Sequence, residues 1–163
     1  VNISARQFRK RGLIDSVTSA LGAAGLPADC LALEITESAI MEDVATAATM
    51  LGELEQLGVQ IEIDDFGTGH SSLAYLKQLP LHRLKIDRSF VCDVPGDRDD
   101  AAIVEAIIHL ARSLGLDVIA EGVETDEQRR FLLEHGCRAM QGYHFARPLG
   151  AEAFAAHLRT NVP

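Results

Sequence analysis

Acidic side chains stand at the ends of short apolar runs in this sequence. The run VQIEI leads into Asp64, which is followed at once by Asp65 and then by Gly-Thr-Gly. Glu34 in LALEIT and Glu121 in LDVIAE stand at corresponding places. Carboxylates that converge on one point repel one another and resist ionising together, and a divalent cation removes that conflict. Oxygen ligands of this kind predict a site for a hard cation such as Mg²⁺ or Mn²⁺.

Short apolar runs alternate with longer amphipathic stretches along the chain, and these segments must position the carboxylates. Apolar residues return at three- and four-residue spacing over 38–58 and 99–115, which predicts helices, and Gly58, Gly115 and Gly136 stand where helices should end. Repeated strand-helix units imply a parallel sheet, either open and doubly wound or closed into a barrel. The predicted strands are VNIS (1–4), LALEIT (31–36), VQIEID (59–64), RLKID (83–87), LDVIAE (116–121) and RAMQG (138–142).

The polarity of the strands favours the barrel. In VQIEID and LALEIT the apolar residues share one face and the more polar residues share the other, since side chains alternate along a strand. A sheet covered by helices on both faces should instead have almost continuously apolar strands. A (β/α)8 barrel usually needs about 250 residues, so the predicted fold is α/β, a TIM-type barrel truncated at its N-terminus to about six β/α units.

In such a barrel, one inward-facing residue of each strand lies near the rim where active sites form. Asp65 has the opposite parity, but it can turn toward the rim where the strand ends, and the aspartate pair could then serve two neighbouring metals. Structural roles compete with this interpretation: a helix cap or turn for the aspartates, and a buried ion pair for Lys85. A different catalytic role, the Schiff-base lysine of an aldolase-like enzyme, is a further alternative for Lys85. The inward-facing residues are Asn2, Glu34, Asp64, Lys85, Glu121 and Gln141.

The composition excludes several classes of protein. The 163 residues are 47% hydrophobic with a formal net charge of −9, which indicates one globular domain without a basic surface for a nucleic acid polymer or anionic lipid. Three widely spaced cysteines favour a reducing, cytoplasmic setting. The sequence has neither an apolar run of about 20 residues nor a signal peptide. We therefore expect no direct membrane contact, and the abrupt start at VNISARQF indicates a piece of a longer protein, whose membrane anchoring stays open.

The segments VNIS, LEITES, IDDFGTGHSSLAYLKQLPLHRLKIDRSFV, IAEGVET and QGYHFARPL resemble, in order and spacing, the later motifs of EAL-domain cyclic di-GMP phosphodiesterases. The resemblance covers nearly the whole chain. It implies a modified (β/α)8 barrel that uses Mg²⁺ or Mn²⁺, in a two-metal site that Ca²⁺ inhibits, to hydrolyse cyclic di-GMP to linear pGpG. Residues 1–163 would then form a partial EAL domain, from strand 3 through helix 8.

The resemblance also assigns roles to individual residues. Lys85 is implied to bind or deprotonate the attacking water, Glu37 to anchor the loop after the aspartate pair, and Glu124 and Gln141 to support the water and the metal cluster. Contact with the substrate is implied for Asp65, Lys85 and Gln141. The implied metal ligands are Asn2, Glu34, Asp64, Asp65 and Glu121, with Asp64 bridging the two cations.

The sequence departs from the family pattern in three places. The Glu-Ala-Leu motif, with its metal-binding glutamate and a nearby substrate-binding arginine, is absent and would precede residue 1. His70 stands where the family more often has tyrosine, and His82-Arg83 stands where it tends to carry an acidic residue. We therefore expect the isolated 163-residue chain to be weakly active or inactive, and we expect the intact protein to be an active enzyme.

The resemblance leaves one alternative function, a receptor that binds cyclic di-GMP without cleaving it. Degenerate receptors of this family usually lose the aspartate pair or the lysine, and this chain keeps Asp64, Asp65 and Lys85. The family also implies an upstream sensor or cyclase domain and a homodimer of the parent protein. The helices around 70–80 and 93–110 are the candidates for the dimer interface.

Overall fold

Six parallel strands form a single sheet in sequence order, and each is followed by helix. The computed structural model describes residues 1–10, 12–69 and 73–161. Within these ranges each strand pairs with the next, and the sheet is open between its first and last strands. The predicted series of six β/α units is therefore confirmed. The strands are β1 (Asn2–Ile3), β2 (Ala32–Thr36), β3 (Gln60–Phe66), β4 (Arg83–Ile86), β5 (Asp117–Ala120) and β6 (Ala139–Met140).

The helices lie in the connections between strands and after β6. None of those in the described ranges has both the length and the apolar character needed to cross a bilayer. A single 3-10 turn over Ala28–Cys30 precedes β2. The helices are α1 (Ala5–Phe8), α2 (Leu13–Ala24), α3 (Glu37–Met41), α4 (Val44–Gln56), α5 (Leu73–Leu76), α6 (Arg88–Val91), α7 (Arg98–Leu114), α8 (Asp126–Glu134) and α9 (Ala151–Asn161).

The predicted helix over 99–115 corresponds to α7, but the stretch 38–58 divides into two helices. Asp43 begins α4 as its N-cap, because its carboxylate accepts the backbone N–H of Thr46 at 3.2 Å. An aspartate that satisfies a free N–H in this way favours a new helix start over a continuous helix. The glycines behave as predicted: Gly58, Gly115 and Gly136 follow helix ends with positive φ angles of 89°, 73° and 90°.

The core lies between the apolar face of the sheet and the outer helices. Ile61 and Ile63 of β3 are fully buried, as are Leu51 of α4 and Val104 of α7. Burying each such side chain stabilises the fold by about 1.5–3 kcal/mol relative to leaving it exposed. The opposite, inward face carries polar residues, as the alternation predicts. That face therefore has to be stabilised by charge pairing.

Candidate active site

Lys85 lies at the centre of a cluster of carboxylates contributed by the carboxyl-terminal ends of neighbouring strands. Its Nζ donates to Glu34 Oε2 of β2 at 2.5 Å and to Asp64 Oδ1 of β3 at 2.9 Å. Glu121, directly after β5, places its Oε1 at 2.6 Å from the same nitrogen. The lysine itself is only 3% exposed. One ammonium group thus faces three carboxylates from three different strands.

The pKa values reflect this imbalance of charge. Burial by itself lowers the pKa of Lys85, but hydrogen bonds to Glu121, Glu34 and Asp64 outweigh burial and raise it. Burial raises the pKa of Glu121, and Lys85 offsets this only in part. Repulsion from the neighbouring carboxylates adds to the rise. The cluster carries more negative charge than its one lysine compensates, and further positive charge would stabilise it.

A bulge in β3 turns Asp65 toward the cluster. The pairs Ile63–Leu84 and Phe66–Ile86 leave two residues of β3, Asp64 and Asp65, opposite one residue of β4. Asp65 has a φ angle of +54°, a left-handed conformation that non-glycine residues adopt rarely. Bulges re-aim side chains in this way near functional sites. The expected turn of Asp65 toward the rim is therefore present, and this irregularity produces it.

Asp87 is a member of the site that the sequence analysis missed. It forms a side-chain hydrogen bond with Asp65, whose pKa is raised by burial and by the charges of Asp64 and Asp87. Burial tends to raise the pKa of Asp87 as well, but hydrogen bonds from Ser89 and from Asp65 outweigh it and lower it. Of the two carboxyl groups, Asp65 therefore has the greater tendency to be protonated, because its pKa is raised while that of Asp87 is lowered. The alternation of side chains along β4 could have indicated Asp87, because it follows Lys85 by two residues and so has the same inward-facing parity.

The donor set fits a divalent cation. Asp64, Asp65 and Glu121 each offer a carboxylate oxygen, and these oxygens lie within 4.8 Å of one another. Oxygen ligands of this hardness suit Mg²⁺ or Mn²⁺. Glu34 contacts the same lysine, with its Oε2 at 2.5 Å from Nζ. The predicted ligands Glu34, Asp64, Asp65 and Glu121 are thus brought together, in a cluster whose excess negative charge a cation would balance.

Two predicted residues lie at the margins of the cluster. Gln141, directly after β6, donates its Nε2 to Glu121 Oε1 at 2.8 Å and so orients that carboxylate. Asn2 of β1 is paired with Glu34 in the register of the sheet, and its side chain is exposed. Gln141 is therefore hydrogen-bonded to the cluster, whereas Asn2 lies beside it as the strand partner of Glu34.

Glu37 lies apart from the cluster, at the loop that follows β3. It is the first residue of α3 and is only 1% exposed. Its Oε2 accepts the backbone N–H of Gly67 at 3.0 Å. A methyl group on Gly69 would come within 2.3 Å of Glu37 Oε1. The carboxylate can therefore pack against the loop only because residue 69 has no side chain. The next residue, His70, and the two serines after it lie outside the described residues.

Glu124 lines a cavity beside the cluster. Its carboxylate accepts a hydrogen bond from Arg88 Nη2 at 2.8 Å, and neither residue contacts Lys85 among the described interactions. The cavity has a volume of about 380 Å³, which lies within the usual range for small-molecule sites. Its polar lining residues include Arg88, Glu121, Glu124, Gln141 and Tyr143.

The inward face beneath the cluster holds a second set of charges that the sequence analysis did not assign. Glu62 of β3 is 3% exposed and forms an ion pair with Arg83 of β4. His82, where the family tends to carry an acidic residue, accepts the backbone N–H of Ile61 with its Nδ1 at 3.1 Å. The imidazole thus provides a hydrogen-bond acceptor, as a carboxylate would.

A parallel sheet of β/α units with carboxylates clustered at the carboxyl ends of its strands is typical of a β/α-barrel protein with a site at the rim. Residues 1–148 match the EAL domain family, and the chain belongs to that family. The family resemblance seen in the motifs and the predicted TIM-type fold are both confirmed.

Relatives of known name support this membership. The chain is 51% identical over 156 residues, 96% of its length, to the bifunctional diguanylate cyclase/cyclic di-GMP phosphodiesterase MucR of Pseudomonas aeruginosa. It is 49% identical over 159 residues, 98% of its length, to the cyclic di-GMP phosphodiesterase NbdA of the same organism. The chain spans only 23% of MucR and 20% of NbdA. Both relatives are therefore much longer proteins.

Solved structures show the same fold with ligands bound. The P. aeruginosa MucR phosphodiesterase in complex with cyclic di-GMP has a TM-score of 0.92 at 51% identity, covering 94% of this chain and 62% of that one. Klebsiella pneumoniae BlrP1 with calcium and cyclic di-GMP has a TM-score of 0.84 at 32% identity, covering 90% of this chain and 38% of that one. BlrP1 also forms a manganese complex with the nucleotide. EAL domains thus bind divalent metals.

Proposed function

We propose that this chain forms the larger part of an EAL domain that hydrolyses cyclic di-GMP to linear pGpG and requires Mg²⁺ or Mn²⁺. The observation that carries the proposal is the cluster of Glu34, Asp64 and Glu121 around Lys85, with Asp65 turned toward it by the bulge. The relatives named as cyclic di-GMP phosphodiesterases agree with it.

The reaction requires few covalent changes, so positioning and charge dominate. The oxygen of a water molecule attacks one phosphorus atom, the bond from that phosphorus to the 3′ oxygen breaks, and the proton released by the water ends on the 3′ oxygen. A divalent cation supplies positive charge that neutralises the phosphoryl oxygens. Asp64, Asp65 and Glu121 would hold it, with Glu34 and Asn2 as the further predicted ligands.

Lys85 would act on the bound groups directly, and Gln141 and Glu124 would support the site from its margins. The ammonium of Lys85 is a hydrogen-bond donor, and its raised pKa favours binding of water or phosphate over removal of a proton. Gln141 keeps Glu121 in a fixed orientation, and Glu124 lies in the adjoining cavity, where it can support the water or the substrate. A strongly acidic chain can in this way accept an anionic nucleotide, because the positive charge is local.

The wider setting is also proposed from the family. The site would belong to a longer cytoplasmic protein that carries a sensor or cyclase domain and forms a homodimer. Among the candidate interface helices, α7 covers most of 93–110, and the first three residues of 70–80 lie outside the described ranges. Residues 1–163 would supply six of the eight β/α units of the domain.

The test is turnover of cyclic di-GMP to pGpG with Mg²⁺, Mn²⁺, Ca²⁺ or a chelator. It is made on a protein with a complete EAL domain that contains this chain, and on its Glu34→Ala and Lys85→Ala variants. We expect turnover with Mg²⁺ and Mn²⁺ and losses of about 100-fold or more in both variants, because each removes a group that orients the reacting atoms. Glu53→Ala, at an exposed position of α4, is the matched control and should keep full turnover.

Three other outcomes would contradict the proposal. Full turnover in both variants would show that the cluster is not the catalytic site. Tight binding of cyclic di-GMP without turnover in the metal-loaded protein would instead identify the non-catalytic receptor. A borohydride-trapped adduct at Lys85 in the absence of metal would favour the Schiff-base alternative.

A further inference from the structure

A cavity lined by arginines lies at the amino-terminal ends of β4, β5 and β6, the end of the sheet opposite to the Lys85 cluster. Its volume is about 330 Å³. Three of its lining residues are cationic, one is acidic, and most of the others are apolar. The charged lining residues are Arg83, Arg112, Arg138 and Asp117. This concentration of positive charge stands out in a chain with a net charge of −9.

Arg112 and Arg138 carry charges that the described parts of the chain leave without an acidic partner. Neither forms an ion pair with a carboxylate in residues 1–10, 12–69 or 73–161. Arg112 makes one long contact, from Nη2 to the carbonyl oxygen of His135 at 3.5 Å. A guanidinium has five N–H donors, so stabilising the end of α8 uses only a small part of its capacity.

Arg83 contributes a buried donor to the same region. Its Nη1 pairs with Glu62, but its Nε is buried and has no hydrogen-bond acceptor within the described residues. Asp117 compensates little, because its side chain is 80% exposed and 3.8 Å from Arg83 Nη2. A buried N–H group without a partner calls for an acceptor. An anion in the cavity would be close to this arginine.

The absence of a side chain at Gly136 leaves room for the Arg112 guanidinium to line the cavity. A methyl group at position 136 would lie 2.4 Å from Nη2 of Arg112, and the φ angle there is +90°. Glycine thus allows the guanidinium to cross the end of α8 and reach the cavity. Ile108 and Leu116 complete the wall with apolar surface.

We propose that this cavity binds a phosphate-type oxyanion, either inorganic phosphate or the phosphate group of a nucleotide. Guanidinium groups present paired N–H donors that match the oxygens of phosphate. The site is separate from the rim where the proposed hydrolysis takes place, and it does not depend on that function. It would make the domain responsive to a second, phosphate-bearing ligand.

The test is a titration of the isotope-labelled 163-residue chain with inorganic phosphate, followed by two-dimensional NMR at constant ionic strength. A chelator is present, so that metal ions cannot recruit phosphate to the carboxylate cluster. We expect saturable shifts at Gly136 and Ala139 and at the Nε–H of Arg83. GMP should bind at the same place and guanosine should not, which separates the phosphate from the base.

The variants are Arg112→Gln and Arg138→Gln, and the matched control is Arg6→Gln at an exposed position of α1. Loss of one charge-assisted hydrogen bond should weaken phosphate binding by about tenfold or more in each cavity variant. The control should bind like the unmodified chain. Absence of saturable shifts, equal binding in all variants, or shifts confined to the Lys85 cluster would each overturn the proposal.

Discussion

Lys85 holds the carboxylate cluster together in the absence of a cation. Three acidic groups within 2.9 Å of one nitrogen would repel one another strongly without it. Removing one partner from a buried charge cluster leaves the remaining charges uncompensated, which is far more destabilising than the loss of an exposed ion pair. The same residue would serve the chemistry once a metal shares the carboxylates.

At this scale we predict that Lys85→Met lowers the free energy of unfolding by about 3 kcal/mol in a chelator, and that Mn²⁺ restores a large part of it. The restoration is expected because a cation replaces the missing positive charge. Urea unfolding with and without Mn²⁺ measures both effects. Lys77→Met, at an exposed position after α5, is the control and should change little. A Lys85→Met variant that Mn²⁺ cannot rescue would contradict this account of the cluster.

The raised pKa values of Asp65 and Glu121 predict how metal binding depends on pH. Both groups hold protons in the folded, metal-free chain at pH values where ordinary carboxylates have lost them. A folded-state pKa above the unfolded value means that these two groups disfavour folding above the folded pKa, and that this penalty is relieved as the pH falls through it. A cation must displace those protons, so its stabilisation should grow with pH.

We therefore expect Mn²⁺ to raise the thermal unfolding midpoint more at about pH 7 than at about pH 4.5. Differential scanning calorimetry at a fixed Mn²⁺ concentration measures the difference. The double variant Asp65→Asn/Glu121→Gln removes both titrating groups, which are also proposed ligands, and is expected to lose the stabilisation by Mn²⁺ together with its pH dependence. A shift in midpoint that is the same at both pH values in the unmodified chain would contradict the prediction.

At the scale of elements, a hydrogen bond links the loop after β3, which follows the bulge, to the first residue of α3. The buried carboxylate of Glu37 accepts a hydrogen bond from the backbone N–H of Gly67. Gly67 lies two residues after Asp65, whose backbone is strained. A strained residue persists only where the surrounding structure holds it in place. The helix start and the strand end are therefore coupled, and the position of Asp65 depends on both.

Glu37→Ala tests this coupling. Removing the carboxylate leaves a backbone donor without its acceptor, so we expect a loss of about 1–3 kcal/mol in stability. Turnover in the complete domain should fall by about tenfold or more, since small displacements of reacting groups are costly. Glu55→Ala, at an exposed position on α4, controls for loss of charge. Unchanged turnover together with reduced stability would limit Glu37 to a structural role.

Gly142 provides a second test at the scale of elements. A methyl group there would lie 2.1 Å from the backbone oxygen of Val123, so the segments after β5 and β6 can approach only because this residue has no side chain. Gly142→Ala should lower the free energy of unfolding by about 2 kcal/mol or more. Gly22→Ala in α2 has open space around it and should not destabilise the chain. Equal stability of the two variants would contradict the close approach.

Much of the fold and the site follows from local patterns in the sequence. Alternation along the strands placed Glu34, Asp64, Lys85 and Glu121 on one face, and the parallel order of the strands brought them together. The left-handed backbone at Asp65 could not be predicted, because it arises from the offset between β3 and β4. Its hydrogen bond with Asp87 depends on that offset as well.

The division of 38–58 into two helices, and the cavity at the opposite end of the sheet, were missed for different reasons. Apolar periodicity runs through the break, and only the capping carboxylate of Asp43 decides where the second helix begins. The arginines of the cavity are far apart in sequence, on α7, on β4 and before β6. Sequence spacing alone carries no signal for such a set.

At the scale of the whole molecule, the chain covers 62% of the MucR phosphodiesterase chain that it matches. Within the described residues, β1 and β6 are the free edges of the sheet. In the proposed domain, the remaining β/α units would lie between these edges and close the barrel. The site at the rim would then be enclosed on all sides.

We expect the 163-residue chain to hydrolyse cyclic di-GMP at least about 100-fold more slowly than the complete domain. The family resemblance implies one further metal ligand outside this chain, and loss of a ligand weakens both the binding of the metal and the orientation of the water. Parallel assays at saturating Mn²⁺ measure the ratio. Equal rates would show that the additional units do not contribute to catalysis.

The most direct test of the central claim is the position of Mn²⁺ in a crystal of the complete domain, located by anomalous scattering. The account predicts manganese bound by Asp64, Asp65 and Glu121 at the carboxyl ends of the strands, with Lys85 beside it. Manganese bound elsewhere, with Lys85 still paired to all three carboxylates, would contradict it.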